Sequence, residues 1–381
     1  MKKIRTLVRD GALPSRLLFG TVWLSLFAYA GRPLLVAAHA GGVAPAIAWL
    51  SLLFCSALPL MPVLGRRTDP LLKRSLMHWI GYATLGVFSL LLVLVAFSDV
   101  VRLSYLAAHI AINSRSISFS VLGAAAALSI VGLFQARCPR VKNVTIALEN
   151  LPEQFHGYRI VQWSDVHVGP TIQRRFVQGL VDRTNAIDAD AIAITGDLID
   201  GYLDVLREQV QPLAQLRARD GVFYVTGNHE YYWRASEWVA ELKSLGLDFL
   251  KNEHRVIERG DAKLVIAGVT DPVGRYTHKQ DVNAALEDAP VGSTKILLSH
   301  RPQTAKAANR NGVDVQLSGH THGGQFFPFN LLIRFFQPIV AGLHRVDRTW
   351  LYVSRGTGYW GPPSRLGVQG EITVITLKSL A

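Results

Sequence analysis

Hydrophobic and polar positions divide this chain into two textures. Through about residue 140 the apolar residues come in long runs, roughly Leu17 to Ala38, Val43 to Leu64, Met77 to Phe97 and Ile117 to Phe134. The last three contain no Asp, Glu, Lys or Arg. Each run approaches the roughly 20 residues that a helix needs to cross a hydrocarbon core, and none has the polar face that a helix of a soluble bundle would present. The pattern predicts a four-helix transmembrane region over residues 1–140, whose first run, interrupted by Arg32 and Pro33, is a shorter or kinked span. A cleaved signal peptide would account for that first run at most.

From Tyr158 short β-rich runs alternate with helical ones. Tyr158 to Trp163, Ala191 to Thr195 and Val222 to Thr226 read as strands, with Ile172 to Ile187 and Leu203 to Leu216 as the helices between them. Further strands are expected at Lys263 to Val269, Lys295 to Ser299, Val313 to Leu317, Trp350 to Ser354 and Ile372 to Leu377, and further helices at Ser236 to Leu245 and Gln303 to Asn311. The reading is one α/β domain over residues 141–381, in which ligands gather at the carboxyl ends of strands.

The net charge of +12 raises nucleic acid as a partner. Residues 1–142 hold fifteen Lys or Arg and three Asp or Glu, while residues 143–381 hold twenty-five of each. A balanced second half lacks the basic footprint of a nucleic-acid domain, so no nucleic-acid partner is expected. The basic residues instead flank the apolar runs: Lys2, Lys3, Arg5, Arg9 and Arg16 before the first, Arg66, Arg67, Lys73 and Arg74 between the second and third, and Arg137, Arg140 and Lys142 after the fourth. The positive-inside rule then predicts a multi-pass protein of the inner or plasma membrane with its second half cytoplasmic. Only Arg32 is charged within the runs, which gives no support to a transport pathway. Cys55 and Cys138 support neither a disulfide framework nor a cysteine zinc site.

The candidate chemistry lies just beyond the predicted strands. The first ends in Asp165 and His167, the second in Asp197, the third in Asn228, His229 and Glu230, the strand KILLS leads to His300, and LSGHTHGGQ carries His320 and His322. Alone, each is an ordinary turn residue. Five of the twelve histidines at successive strand ends beside carboxylates point instead to a metal site. Mixed imidazole, carboxylate and amide donors without cysteine suit Mn, Fe or Zn. Glu230 is expected either against a ligand imidazole or at the surface.

The ordered blocks DVH, GD, GNHE, SH and GHTH, spread from Arg159 to about Leu377, resemble those of the calcineurin-like metallophosphoesterase superfamily, in the branch whose last block continues GGQ and is followed by LYVSRG. The resemblance implies a two-sheet sandwich flanked by helices and two divalent metal ions. One would be held by Asp165, His167, Asp197 and His322, the other by Asp197, Asn228, His300 and His320. His229 would face the substrate phosphate as a catalytic residue beside the bridging Asp197. It also implies hydrolysis by direct attack of metal-bound hydroxide, since a divalent cation can lower the pKa of water to about 7.

Phe326 to Gly342, FFPFNLLIRFFQPIVAG, follows the last histidines and is strongly apolar, yet too short and Pro-broken to span a membrane. It reads either as a loop packed on the sheet or as a flap that meets lipid, with Arg334 near the headgroups and Arg301 a candidate phosphate contact. The expected function is a membrane-anchored phosphoesterase acting on a phosphodiester or pyrophosphate, lipid-linked for preference. A soluble phosphorylated small molecule is the alternative substrate, and a non-catalytic membrane interaction module the remote one.

Overall fold

Among the described residues, which are 12–61, 71–274 and 278–380, twelve strands build two six-stranded mixed sheets in this computed structural model. Along the chain they are β1 (Arg140–Leu148), β2 (Arg159–Trp163), β3 (Ala191–Thr195), β4 (Val222–Val225), β5 (Asp248–Phe249), β6 (Glu253–Arg259), β7 (Ala262–Gly268), β8 (Thr294–Leu298), β9 (Val315–Ser318), β10 (Gly342–Val346), β11 (Thr349–Val353) and β12 (Glu371–Ser379). The first sheet runs β1-β12-β2-β3-β4-β5 and the second β10-β11-β9-β8-β7-β6. In the first, β2 to β5 are parallel; in the second, β7, β8, β9 and β11 are. Parallel neighbours end on the same side, so the segments after β2, β3 and β4 emerge together, as do those after β8 and β9.

The central strands are buried on both faces, as their unbroken apolar runs require. All five residues of β3 and four of five in β8 are buried. Ile160, Ala193 and Phe223 of the first sheet share a core with Leu264, Ile266, Leu298 and Leu317 of the second. Beyond the second sheet, Val265, Ala267 and Leu297 pack with Ala285 and Ala308 from the helices Val282–Ala285 and Ala305–Arg310. The expected α/β architecture of two mixed sheets is present.

Four strands escape the sequence reading: β1, β5, β6 and β10. They are the four edges of the two sheets. An edge strand keeps one side in solvent and tolerates charge, which erases the apolar run. In β6, EHRVIER, a single residue is buried.

Residues Met1–Val131 form a separate unit. Among its described residues the helices are Ala12–Ala30, Arg32–Ala40, Pro45–Ala57 extended by the tight turn Leu58–Leu60, Leu71–Ala107 and the first part of Ser114–Arg137. Ser75–Ala107 and Ser114–Arg137 are long and apolar enough to cross a membrane, and Leu18–Ala30 with Arg32–Ala40, bent by 47°, adds a third if it is one broken span. The described helices thus supply two or three of the four expected spans. The second apolar run forms only the shorter helix Pro45–Leu60, and its last residues, 62–64, lie outside the described residues, as do Lys2, Lys3, Arg5, Arg9, Arg66 and Arg67.

Two local causes produce the bend. Pro33 has no N–H to donate into the helix, and Gly31 admits Leu52, whose Cδ1 would stand 2.4 Å from a Cβ at that position. Nearby the rings of Phe27 and Phe88 stack at 4.0 Å. The third run is corrected outright: its helix extends past Phe97 to Ala107 and carries Asp99 and Arg102 inside it, so Arg32 is not the lone helical charge. Within the helix Asp99 is paired, with Arg32 Nη2 2.6 Å from its Oδ2.

Candidate metal centre

The segments beyond β2 and β3 stay laced together after the ladder stops. The amides of Asp165 and His167 donate to the carbonyls of Gly196 and Asp197 at 3.0 and 3.1 Å. Across the sheets, His320 N donates to Asp165 Oδ2 at 3.0 Å. Gly319 permits this approach, because a Cβ there would stand 1.8 Å from Ser164 Oγ and 2.2 Å from Asp165 Oδ2.

Asp165, His167, Asp197, His320 and His322 all adopt positive φ, at 53°, 54°, 51°, 71° and 53°. The left-handed region costs a non-glycine residue roughly 1–2 kcal/mol, so these five conformations persist only where the surroundings over-determine them. Glu230 is one source of that constraint. Fully buried, its carboxylate accepts from the amides of Gly227 at 2.6 Å, Leu198 at 2.7 Å and Asp197 at 3.1 Å. It therefore neither touches a ligand imidazole nor faces solvent, as the sequence had offered; it ties the β3 and β4 loops together.

The side chains converge. In three groups, Asp165 with His167 and His322, His167 with Asp197 and His229, and Asp197 with His300 and His320, potential ligand atoms lie within 4.8 Å of one another. His167 Nε2 is 3.0 Å from His322 Nε2, which is 3.4 Å from Asp165 Oδ1. His300 Nε2 lies 3.2 Å from both Asp197 Oδ2 and His320 Nδ1. The other nitrogen of His300 donates to Thr195 O at 2.8 Å, which aims Nε2 into the cluster.

Burial sets the protonation. It depresses His167 to about 3, with His229 adding to the effect, and His320 to about 3, with His300 and Arg301 adding. His322 falls well below the usual imidazole range, again by burial first and then by His167. These three rings are neutral at pH 7 and keep lone pairs. Burial works against a charge on His300, but Asp197 and Asp165 outweigh it and raise the ring to about 10. Asp197 is buried too, yet His300, His229 and His167 hold it well below the usual carboxylate range.

This donor set fits a divalent cation. Ligand nitrogens about 2.0–2.1 Å from one ion, a right angle or more apart, sit about 3 Å or more from each other, and the His167–His322 separation matches. The neutral rings of His167, His320 and His322 and the ionised Asp197 are in the protonation states that metal ligation requires, whereas His300 would have to release its Nε2 proton to bind a cation.

The remaining predicted residues are distributed as follows. Asn228 Oδ1 lies 3.5 Å from Arg301 Nη2, and Arg301 Nη1 lies 3.4 Å from His320 Nε2. Asp271 Oδ2 fixes Arg301 by accepting from its Nε at 2.7 Å. His229 Nδ1 lies 3.1 Å from Asp200 Oδ1, and this contact together with Asp197 raises its pKa despite burial. Arg334 is exposed on the segment after the GGQ and makes no hydrogen bond or ion pair to the cluster among the described residues.

Sequence reasoning missed several participants. Arg365 is fully buried; its guanidinium donates to His322 O at 2.9 Å, Gly358 O at 2.9 Å and Arg355 O, and Nη2 lies 3.2 Å from His322 Nδ1. Gln325 exchanges two hydrogen bonds with the backbone of Trp360, at 2.7 and 2.9 Å. Trp360, 49% exposed, and Tyr232, 56% exposed, flank the His229 ring at 5.9 and 5.1 Å. Asp200, three residues after Asp197, had a usable signal in its proximity; Asp271 and Arg365 lie in no block of the motif.

Residues 158–324 match the family described as calcineurin-like phosphoesterase. A transmembrane protein with metallophosphoesterase domain from Danio rerio is 38% identical over 324 residues, which cover 79% of this chain and 74% of that protein. The like-named protein of Bos taurus is 42% identical over 267 residues, covering 66% of this chain and 60% of the relative. Among solved structures, a 5'-nucleotidase precursor from Thermus thermophilus is similar with a TM-score of 0.38 and 20% identity, over 54% of this chain and 49% of that one.

Proposed function

Since the chain belongs to the calcineurin-like metallophosphoesterase family, we propose that it is a membrane-anchored, dinuclear metal-dependent phosphoesterase that hydrolyses a lipid-linked phosphodiester or pyrophosphate. In this reading residues 1–140 are the multi-pass anchor and residues 141–381 the cytoplasmic catalytic domain. Asp165, His167, Asp197 and His322 hold one cation and Asp197, Asn228, His300 and His320 the other. When bound, divalent cations such as Mn, Fe or Zn supply Lewis acidity toward a phosphoryl oxygen and activation of water.

The chain's own groups do the rest. Asp200 orients His229 through Nδ1 and favours its charged form, so Nε2 presents a proton to the leaving oxygen or a positive charge to the phosphoryl oxygens. Asp271 turns the Arg301 guanidinium toward the cluster, where it meets substrate phosphate. Glu230 and Arg365 keep the strand-end loops in their strained conformations.

The substrate class rests on one observation, the exposed apolar face of the flap. Phe335 and Phe336 are 83% and 75% exposed, and Phe329, Leu331 and Leu332 are exposed beside them. Such a contiguous patch marks a contact with lipid or partner. A soluble substrate is the second reading, favoured by Tyr232 and Trp360, whose half-exposed rings offer a stacking surface next to His229. The test is hydrolysis by detergent-solubilised protein with added Mn²⁺ of a lipid-linked pyrophosphate, an aryl phosphodiester and an aryl phosphomonoester. Preference for the lipid substrate is expected; equal or better turnover of the soluble diester selects the second reading.

A further inference from the structure

The helical unit contains a charge cluster that phosphoester hydrolysis does not use. Arg32 lies just past the break at Gly31, and its Nη2 donates to Asp99 Oδ2 at 2.6 Å while its Nε donates to Tyr29 O at 3.2 Å. Tyr29 Oη donates to the same carboxylate oxygen at 2.8 Å. Asp99 is thus engaged from two sides. Nearly one helical turn further on, Arg102 brings a second guanidinium, whose Nε is buried and makes no hydrogen bond. Two arginines against one aspartate leave a local formal charge of +1.

A cavity of about 240 Å³ opens between these groups, lined by Arg32, Arg102, Ser98 and Ser118 and walled on its apolar side by Pro33 and Val95. The hydroxyls of Ser98 and Ser118 donate to Val95 O at 2.8 Å and Ser114 O at 2.9 Å. The donors left for an occupant are therefore guanidinium N–H groups. Surplus positive charge among apolar helices is costly and calls for a counter-charge. A metal cation is repelled, whereas the planar fork of arginine matches a tetrahedral oxyanion through paired hydrogen bonds. The apolar wall accommodates ester carbons next to such a group.

We propose that the cavity between Arg32 and Arg102 binds a phosphate group, carried by an anionic lipid or present as the free ion. The site is separate from the strand-end cluster and does not rest on the proposed substrate. The test uses the full chain in detergent, with bound lipid counted by native mass spectrometry during titration with phosphatidylglycerol or phosphatidylcholine, and with inorganic phosphate as competitor. The expected result is saturable preference for phosphatidylglycerol, weakened about tenfold in Arg102→Gln, weakened further in Arg102→Glu and retained in Arg102→Lys, with thermal unfolding unchanged. Competition by inorganic phosphate identifies the free ion as a ligand of the same site; its failure to compete assigns the site to lipid. Equal binding of the two lipids with no phosphate binding overturns the proposal, as does a preference that survives both Arg102→Gln and Arg102→Glu. If those variants do not fold, the wild-type titration decides alone: lack of saturable binding of either anion rejects the site.

Discussion

The Nε2 atoms of His167 and His322 face each other at 3.0 Å although 155 residues separate them in the chain. Burial keeps both rings neutral, so the pair offers lone pairs to one point between the two sheets. Chelation is therefore predicted to lower the unfolding temperature of the purified protein, and Mn²⁺ to restore it. The restored stability amounts to about 2.7 kcal/mol at free metal one hundred times its dissociation constant. Elemental analysis of His322→Ala checks the assignment: it should retain less metal than the wild type, and unchanged content would remove His322 from the site.

Glu230 accepts three backbone amides in a buried setting. Glu230→Ala leaves those donors unpaired and should cost about 1–3 kcal/mol for each buried amide that finds no other partner. Urea unfolding of the full chain followed by tryptophan fluorescence measures it. A change below about 0.5 kcal/mol, ordinary for a surface substitution, would show that the β3 and β4 loops are held by something else.

Gly319, just past β9 of the second sheet, lies against the segment beyond β2 of the first, and a Cβ there would collide with Ser164 and Asp165. Gly319→Ala should displace the Asp165 carboxylate and reduce turnover by about 100-fold, the usual cost of a 1 Å misplacement. Gly179 is the control. It lies in the helix Arg174–Asn185 with nothing within 4 Å of its Cβ position, so Gly179→Ala should stabilise by up to about 1 kcal/mol and leave turnover intact.

The flap separates the two substrate readings. Changing Phe335 and Phe336 together to Ser removes two side chains that are 83% and 75% exposed and therefore support no core. Burial of such a ring in lipid is worth about 1.5–3 kcal/mol, so hydrolysis of a lipid-linked substrate should fall at least about tenfold. Hydrolysis of a soluble aryl phosphodiester should not change. Equal losses on both substrates would show that the flap shapes the site rather than receiving lipid.

What the sequence made legible follows from burial. The central strands β2, β3, β4, β7, β8, β9, β11 and β12 read as apolar runs because both faces are covered, while the edges β1, β5, β6 and β10 carry polar residues and vanish from the pattern. Asp165, His167, Asp197, His300, His320 and His322 were visible because each follows a buried strand at a fixed offset. Glu230 was visible as a residue but not in its role, since its partners are amides supplied by two loops. Arg365 and Trp360 reach the cluster only through tertiary folding, 43 and 35 residues from the His322 and Gln325 they contact. In the helical unit the third apolar run stops at Phe97 while the helix continues through Asp99, whose partner Arg32 is 67 residues away in the chain.

Asp197 is shared by two of the three groups of candidate ligands, 3.2 Å from His300 Nε2 and 3.9 Å from His167 Nε2. The most direct test of the account is phosphoester turnover by metal-reconstituted protein, measured beside Asp197→Ala with the metal content of both determined on the same samples. The account predicts hydrolysis by the wild type, a loss of at least about 1,000-fold in the variant, comparable to removing a principal electrostatic element of an active site, and a drop in bound metal. A wild type that binds metal yet hydrolyses no phosphoester, or an Asp197→Ala variant that keeps full activity, would contradict it.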